Sequence, residues 1–341
     1  MPPIRDEDAL DDLLSTPTPL VVETLSRVEG DLVILGVGGK MGPTLARMAR
    51  RALDQAGRKN RVIGVARFSQ AGLEQRLRNW GIETVACDLL DPDAVARLPD
   101  ASHVVSMTGM KFGASGQAAR TWAVNCLTPI HACRRYRGAK MAAFSTGNVY
   151  GLTPVARGGS CEDDEPRPFG DYSLSALGRE RMYEYGSATY DVPMTLLRLN
   201  YAVELRYGVL VDLAQKVWGG EAIDVTMGHF NAIWQGDANA MALASFAHVA
   251  RPPRVLNIAG PEVLSVRRLA ERLGALLDKS VAIGGQEADD AFLSDAGQSQ
   301  RLFGYPTVSV EQMLEWVADW TRRDMPLLGK PTKFQVRDGK F

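Results

Sequence analysis

Three glycines at fixed spacing are the first residues here whose arrangement could do chemistry. GVGGKMG, residues 36–42, places Gly36, Gly39 and Gly42 as Gly-x-x-Gly-x-x-Gly, with Lys40 and Met41 between the last two. Such spacing lets the backbone turn tightly, approach a pyrophosphate and pack a helix against a strand. The phosphates then rest on the unbonded N–H groups and dipole of the helix N-terminus. A dinucleotide held this way needs a grip on its ribose at the end of the following strand. That position reads VARFS, with Ala66 and Arg67 and no carboxylate. A carboxylate would hold the 2′-hydroxyl of NAD, whereas a guanidinium binds a 2′-phosphate bidentately, so Arg67 favours NADP(H) over NAD(H).

The elements that must position these residues are legible as rhythm. DLVILG (31–36), RVIGVAR (61–67), IETVACDL (82–89), SHVVSMTG (102–109), KMAAFST (140–146) and VPMTLLRLN (192–200) are short apolar runs bounded by turn residues, which predicts strands. Amphipathic stretches lie between them: MGPTLARMARRALDQAG, AGLEQRLRNWG, a long helix over 116–136 and one beginning near Tyr172. Strands alternating with helices predict parallel βαβ units with the sheet covered on both faces. The expected fold class is α/β, a Rossmann-type doubly wound parallel sheet with a smaller C-terminal substrate-binding α/β subdomain. Thr18-Pro19 predicts an N-cap and first turn in a helical extension over 1–30. Domain boundaries are expected at 31–200 for the nucleotide domain and 201–325 for the interleaved substrate part. Residues 326–341 read as a basic arm or loosely ordered tail.

Bulk properties exclude several classes. With 341 residues, 23% charged, 45% hydrophobic and a net charge of -1, the chain is an ordinary globular one with no electrostatic reason to bind nucleic acid or an anionic membrane. No apolar run reaches the ~20 residues that span a bilayer, and the acidic start MPPIRDEDALDDLL is unlike a secretory signal, so the cytoplasm is expected. Cys87, Cys126, Cys133 and Cys161 lack Cys-x-x-Cys spacing, and the histidines at 103, 131, 229 and 248 are scattered, so neither disulfides nor a metal site is expected.

Further segments carry a resemblance. CDLLDPDA (87–94), STGNVYG (145–151), DYSLSALGRE (171–180), VLNIAGPEVLSVRRLAERLG and LSDAGQSQRLFGYPTVSVEQMLEWVADW, in this order after the glycine turn, resemble the extended short-chain dehydrogenase/reductases, the NAD-dependent epimerase/dehydratase family. The resemblance implies that Asp88 meets the adenine and Leu89 lines its pocket. It implies Thr146 as the hydroxyl that holds the reacting oxygen, Tyr172 as general acid/base and Asn125 as the family's helix asparagine. A phenol with a pKa near ~10 is a poor base at neutral pH unless a positive charge lies close. The family supplies one from a lysine four residues after the tyrosine, and here that residue is Ala176. Lys111 in TGMKFG, which resembles the Gly-Leu-Lys segment of UDP-galactose 4-epimerases, is a candidate replacement. Arg179 is another, against a plain reading as a solvated helix arginine.

Other departures narrow the chemistry. Gly147 and Asn148 stand where 4,6-dehydratases carry Asp-Glu, which disfavours water loss. RLNYAVELRYG (198–208) replaces the family's Arg-x-x-Asn-x-Tyr-Gly-Pro, leaving Asn148, Asn200, Glu204, Arg206 and Tyr207 as candidate substrate contacts, and WQGDANA leaves Asp237 alone. The resemblance implies an NAD(P)-dependent oxidoreductase or epimerase acting on a sugar, sugar nucleotide or related polyol. It also implies a homodimer through helices 116–136 and 172–189. The alternative, motivated by Ala176, is an NADP(H)-binding sensor or scaffold without turnover.

Overall fold

The computed structural model describes residues 3–110, 116–330 and 332–339; Lys111 lies outside the described residues. Its centre is a parallel sheet of seven strands: β1 (Leu32–Leu35), β2 (Val62–Ala66), β3 (Glu83–Ala86), β4 (His103–Ser106), β5 (Lys140–Thr146), β6 (Met194–Leu199) and β7 (Arg254–Ile258). Their spatial order is β7-β6-β5-β4-β1-β2-β3, and every neighbouring pair is parallel. The order reverses between β1 and β4, the crevice where open α/β sheets bind ligands.

Side-chain alternation shows why these runs are strands. Leu32 and Ile34 join one buried cluster while Val33 and Leu35 join another, so β1 feeds both faces of a sheet covered on both sides. One face is covered by α2 (Pro19–Ser26), α3 (Gly42–Gln55) and α9 (Gln235–Ala244). The other is covered by α5 (Pro92–Ala96), α6 (Ala118–Arg135) and α7 (Gly170–Tyr190). A third cluster joins α1 (Glu7–Leu14), α8 (Val209–Gly219), α10 (Val266–Leu277) and α12 (Val310–Arg322). Among the described residues the remaining α-helices are α4 (Leu73–Asn79) and α11 (Gly297–Phe303).

Local signals act where the sequence places them. Thr18 caps α2 by accepting from Val21 N, with Pro19 in the first turn. Gly36 turns out of β1 at φ +81, and a Cβ on Gly42 would lie 2.3 Å from the Val37 carbonyl oxygen, so α3 can begin there only on a glycine.

Both chain extensions pack against the body of the protein. The N-terminal one contributes Leu10, Leu14, Val21 and Leu25 to the cores. The tail is not loose over its described residues. Phe334 is buried against Phe230, Thr332 donates from its N and Oγ1 to Asp212, and Arg337 pairs with Asp290. A Cβ on Gly170, where α7 starts, would lie 2.4 Å from the Gly339 carbonyl oxygen. Among the described residues no helix is long and apolar enough to cross a membrane.

Candidate active site

Two adjoining cavities, of about 730 and 300 Å³, open at the carboxyl ends of the strands and share Gly38, Gly39 and the Met107–Met110 segment. The smaller runs from the glycine turn across the ends of β2 and β3. Gly36, Arg67, Asp88 and Leu89 line it, with Ser69 and Gln70 beside Arg67. Arg67 is exposed at this rim. Asp88 Oδ1 accepts from Leu90 N at 3.1 Å, which fixes the loop after β3.

The larger cavity contains the residues expected to do chemistry. Thr146 ends β5, and its Oγ1 donates to Asn148 Oδ1 at 2.9 Å while accepting from Asn148 N at 3.2 Å. Tyr172 enters from the first turn of α7, and Lys40, Met41 and Gly42 close the side nearest the glycine turn. Asn200 also lines it, held by its Nδ2 donation to the Phe292 carbonyl at 3.1 Å. Tyr207 stands opposite, its ring centroid 3.1 Å from Lys40 Nζ. Burial raises the pKa of Tyr207, and the neighbouring Asp212, Tyr201 and Tyr172 push the same way. Burial raises Tyr201 likewise, with Tyr172 adding to it.

Three expected contacts are placed elsewhere. Glu204 and Arg206 line neither cavity. Arg206 is buried between Glu204 (3.2 Å) and Asp11 of α1 (2.9 Å), with Glu7 at 3.3 Å, because two charges removed from water need each other more than a ligand. Asn125, expected at the cofactor, is buried and lines neither cavity. Its Oδ1 accepts from Met110 N and its Nδ2 donates to Ser175 Oγ at 2.8 Å, tying the segment after β4 to α7. Asp237 likewise holds Thr307 and Val308.

Arg179 overturns the plain reading made for it. Only 5% of its surface is exposed, and it lines the larger cavity. Its Nη1 donates to the Thr108 carbonyl at 3.1 Å and sits where a Cβ on residue 109 would be, 2.1 Å away, so Gly109 makes room for the guanidinium. Ala176, one turn earlier, is fully buried against Val149 and Tyr150. The guanidinium is thus held on the segment after β4, within the larger cavity. The 172, 176, 179 spacing marks one helix face, and that was the signal available in the sequence. Sequence reasoning missed Tyr201, Gln235, Lys330 and Thr332, which also line this cavity. Beneath it, Glu180 and Arg198 form a buried bidentate pair, at 3.0 and 2.7 Å, that Ser145 joins by donating to Glu180.

A family model described as the NAD dependent epimerase/dehydratase family matches residues 32–203. The chain belongs to that family. Solved structures of similar fold include MoeE5 in complex with UDP-glucuronic acid and NAD, at 22% identity over 87% of this chain and 100% of that one, TM-score 0.70. They also include the UDP-glucuronic acid 4-epimerase of Bacillus cereus in complex with NAD, at 20% identity over 86% and 96%, TM-score 0.72. A third is the UDP-glucose 4-epimerase of Thermotoga maritima with UDP-glucose, at 18% identity over 86% and 99%, TM-score 0.68. At these identities the likeness is one of fold. No curated protein matches the chain.

Proposed function

We propose that the protein is a nicotinamide-dependent oxidoreductase or epimerase of a sugar or sugar-nucleotide-like substrate, with Tyr172 as acid/base and Thr146 holding the same oxygen. The observation that carries this reading is the convergence of Thr146, Tyr172 and the glycine turn on one cavity at the switch point of the sheet. The turn fits a dinucleotide: Gly36, Gly38 and Gly39 line the smaller cavity and Gly39 and Gly42 the larger, so their backbone faces the space a pyrophosphate would take. When bound, the nicotinamide supplies the hydride acceptor or donor.

The chain's own residues do the rest. Tyr172 gives or takes the proton on the substrate oxygen, and Thr146, oriented by Asn148, fixes that oxygen. Arg179, held on the Thr108 carbonyl after β4, supplies positive charge to the same cavity, which suits an oxyanion developing there. Arg67, facing the smaller cavity with Ser69 and Gln70, supports NADP(H), although the MoeE5 and Bacillus cereus structures are NAD complexes. Calorimetric titration of the nucleotide-free protein with NADP+, NADPH, NAD+ and NADH tests this. The expected result is preferential NADP(H) binding, weakened about tenfold or more by Arg67→Ala; equal NAD binding in both proteins removes the NADP preference, and no binding at all removes the reading.

Ala176 supports a second reading, a cofactor-binding sensor without turnover. It predicts tight preference for one redox form and a bound nucleotide whose redox state no sugar substrate changes.

A further inference from the structure

The chain crosses itself at two glycines that face each other. Gly170 opens α7 at φ +75, and Gly339, buried near the end of the tail, stands at φ +76. A Cβ on Gly170 would lie 2.4 Å from the Gly339 carbonyl oxygen and 2.8 Å from its Cα. A Cβ on Gly339 would lie 2.9 Å from the Phe169 carbonyl oxygen and 3.0 Å from the Gly170 Cα. Backbone thus rests on backbone from both sides, and no flexible side chain stands between to give way. With two positive φ values at one contact, only glycine fills either place without strain.

The turn held at this crossing is the one that carries Tyr172. Helix α7 starts there without a side-chain cap, so its first turn takes its support from what packs on it. A second contact converges on the same point. Phe169, the residue before α7, stacks on Phe292 with ring centroids 5.8 Å apart. Phe292 lies two residues after Asp290, whose carbonyl accepts from Arg337 Nη1 of the tail at 2.8 Å and whose carboxylate pairs with the same guanidinium. Tyr172 and Phe334 join one buried cluster, with Phe169 packed against it. At its other end the tail is tied next to Tyr207, another lining residue of the larger cavity, where Leu328 N donates to the Arg206 carbonyl.

Taking Tyr172 as the acid/base of the reading above, we propose that the C-terminal tail is its positioning element. The crossing of Gly339 over Gly170 seats the first turn of α7 so that the phenol meets the larger cavity. The tail acts on the chemistry only through that turn, so Gly339 and Arg337 are positioning residues. A misplacement of about 1 Å can lower the rate at a reacting group about a hundredfold, which is the physical reason to fix this turn from two sides.

The test compares Gly339→Val, Arg337→Ala and Gln335→Ala with the wild type, each as the full chain. Gly339→Val breaks the crossing itself, whereas Arg337→Ala frees the tail from Asp290 and leaves both glycines alone. Gln335→Ala changes the same tail at neither anchor and is the control. The probe is tetranitromethane, which nitrates accessible phenols, with peptide mass spectrometry to assign the tyrosine. Exposed Tyr305 is the internal standard, and buried Tyr183 marks global unfolding. Relative to Tyr305, nitration of Tyr172 is expected to rise about fivefold or more in Gly339→Val and by a smaller factor in Arg337→Ala, with Tyr183 unreacted and Gln335→Ala like the wild type. Amide hydrogen exchange should rise about tenfold over residues 170–175 and stay unchanged over residues 183–190. With a substrate, kcat should fall about tenfold or more while KM and nucleotide affinity hold within about twofold. The proposal is overturned if Tyr172 nitrates alike in Gly339→Val and the wild type, if exchange rises evenly along α7, or if Gln335→Ala reproduces the effect. Nitration and exchange need no turnover, so they decide this proposal by themselves, whereas a wild type that binds no nicotinamide nucleotide overturns the functional reading alone.

Discussion

Tyr172 has to find its positive neighbour somewhere other than the next helical turn, and Arg179 is the buried cation that shares its cavity. A guanidinium keeps its charge across the working pH range and cannot relay a proton as a lysine can. Arg179→Met is therefore expected to lower turnover about a hundredfold, with Arg179→Lys recovering part of it. Tyr172→Phe should lower turnover about a thousandfold while leaving nucleotide affinity intact. Initial rates and nucleotide titrations on the three variants check both statements; undiminished turnover in Tyr172→Phe would sink the mechanism. What could be read at this scale depended on whether chemistry follows spacing. The glycines at 36, 39 and 42 work through backbone shape, which spacing records. Arg179, Glu204 and Arg206 are long side chains whose destinations depend on partners far along the chain, and spacing is silent about those.

Among the elements, β1, β2 and β4 were legible because every one of their residues is buried, which leaves short apolar runs with no helical period. Helix α9 was not, and for the opposite reason: all ten of its residues are buried, so no polar face marks its turns. The strand β4 also carries a pH dependence. His103, at its start, is buried edge-on to Phe246 and beside Lys140 of β5, and burial followed by that charge pushes its pKa down to about 4. The folded state thus keeps the imidazole neutral while the unfolded chain takes a proton below its ordinary value of 6.5. Stability should be intact above pH 6.5 and fall by about 3 kcal/mol as the pH drops to 4. Urea unfolding between these pH values should show that slope and lose most of it in His103→Gln; an unchanged slope would assign the acid sensitivity to other groups.

Taken whole, the molecule builds its larger cavity from parts that lie far apart in sequence. Asp11 of the N-terminal helix holds Arg206, whose carbonyl in turn receives Leu328 of the tail, and Arg206 directly precedes Tyr207. Both extensions thereby bear on one wall. Asp11→Ala leaves a buried ion cluster short of one partner, so a loss of about 3 kcal/mol is expected. With it, the substrate KM should rise while nucleotide affinity stays unchanged; denaturant unfolding and steady-state kinetics measure the two effects. Nothing in the sequence pattern announced this coupling, because an ion pair across 195 residues leaves no periodic trace.

That span also orders events in time. The smaller cavity draws on residues 36 to 128, joined mostly by neighbouring βαβ units, whereas the larger one is incomplete until residues 38 and 332 share a wall. Contacts of long sequence separation close late, since the intervening chain must give up its freedom first. A chain diluted out of denaturant should thus pass through a stage that holds nucleotide and cannot yet hold substrate.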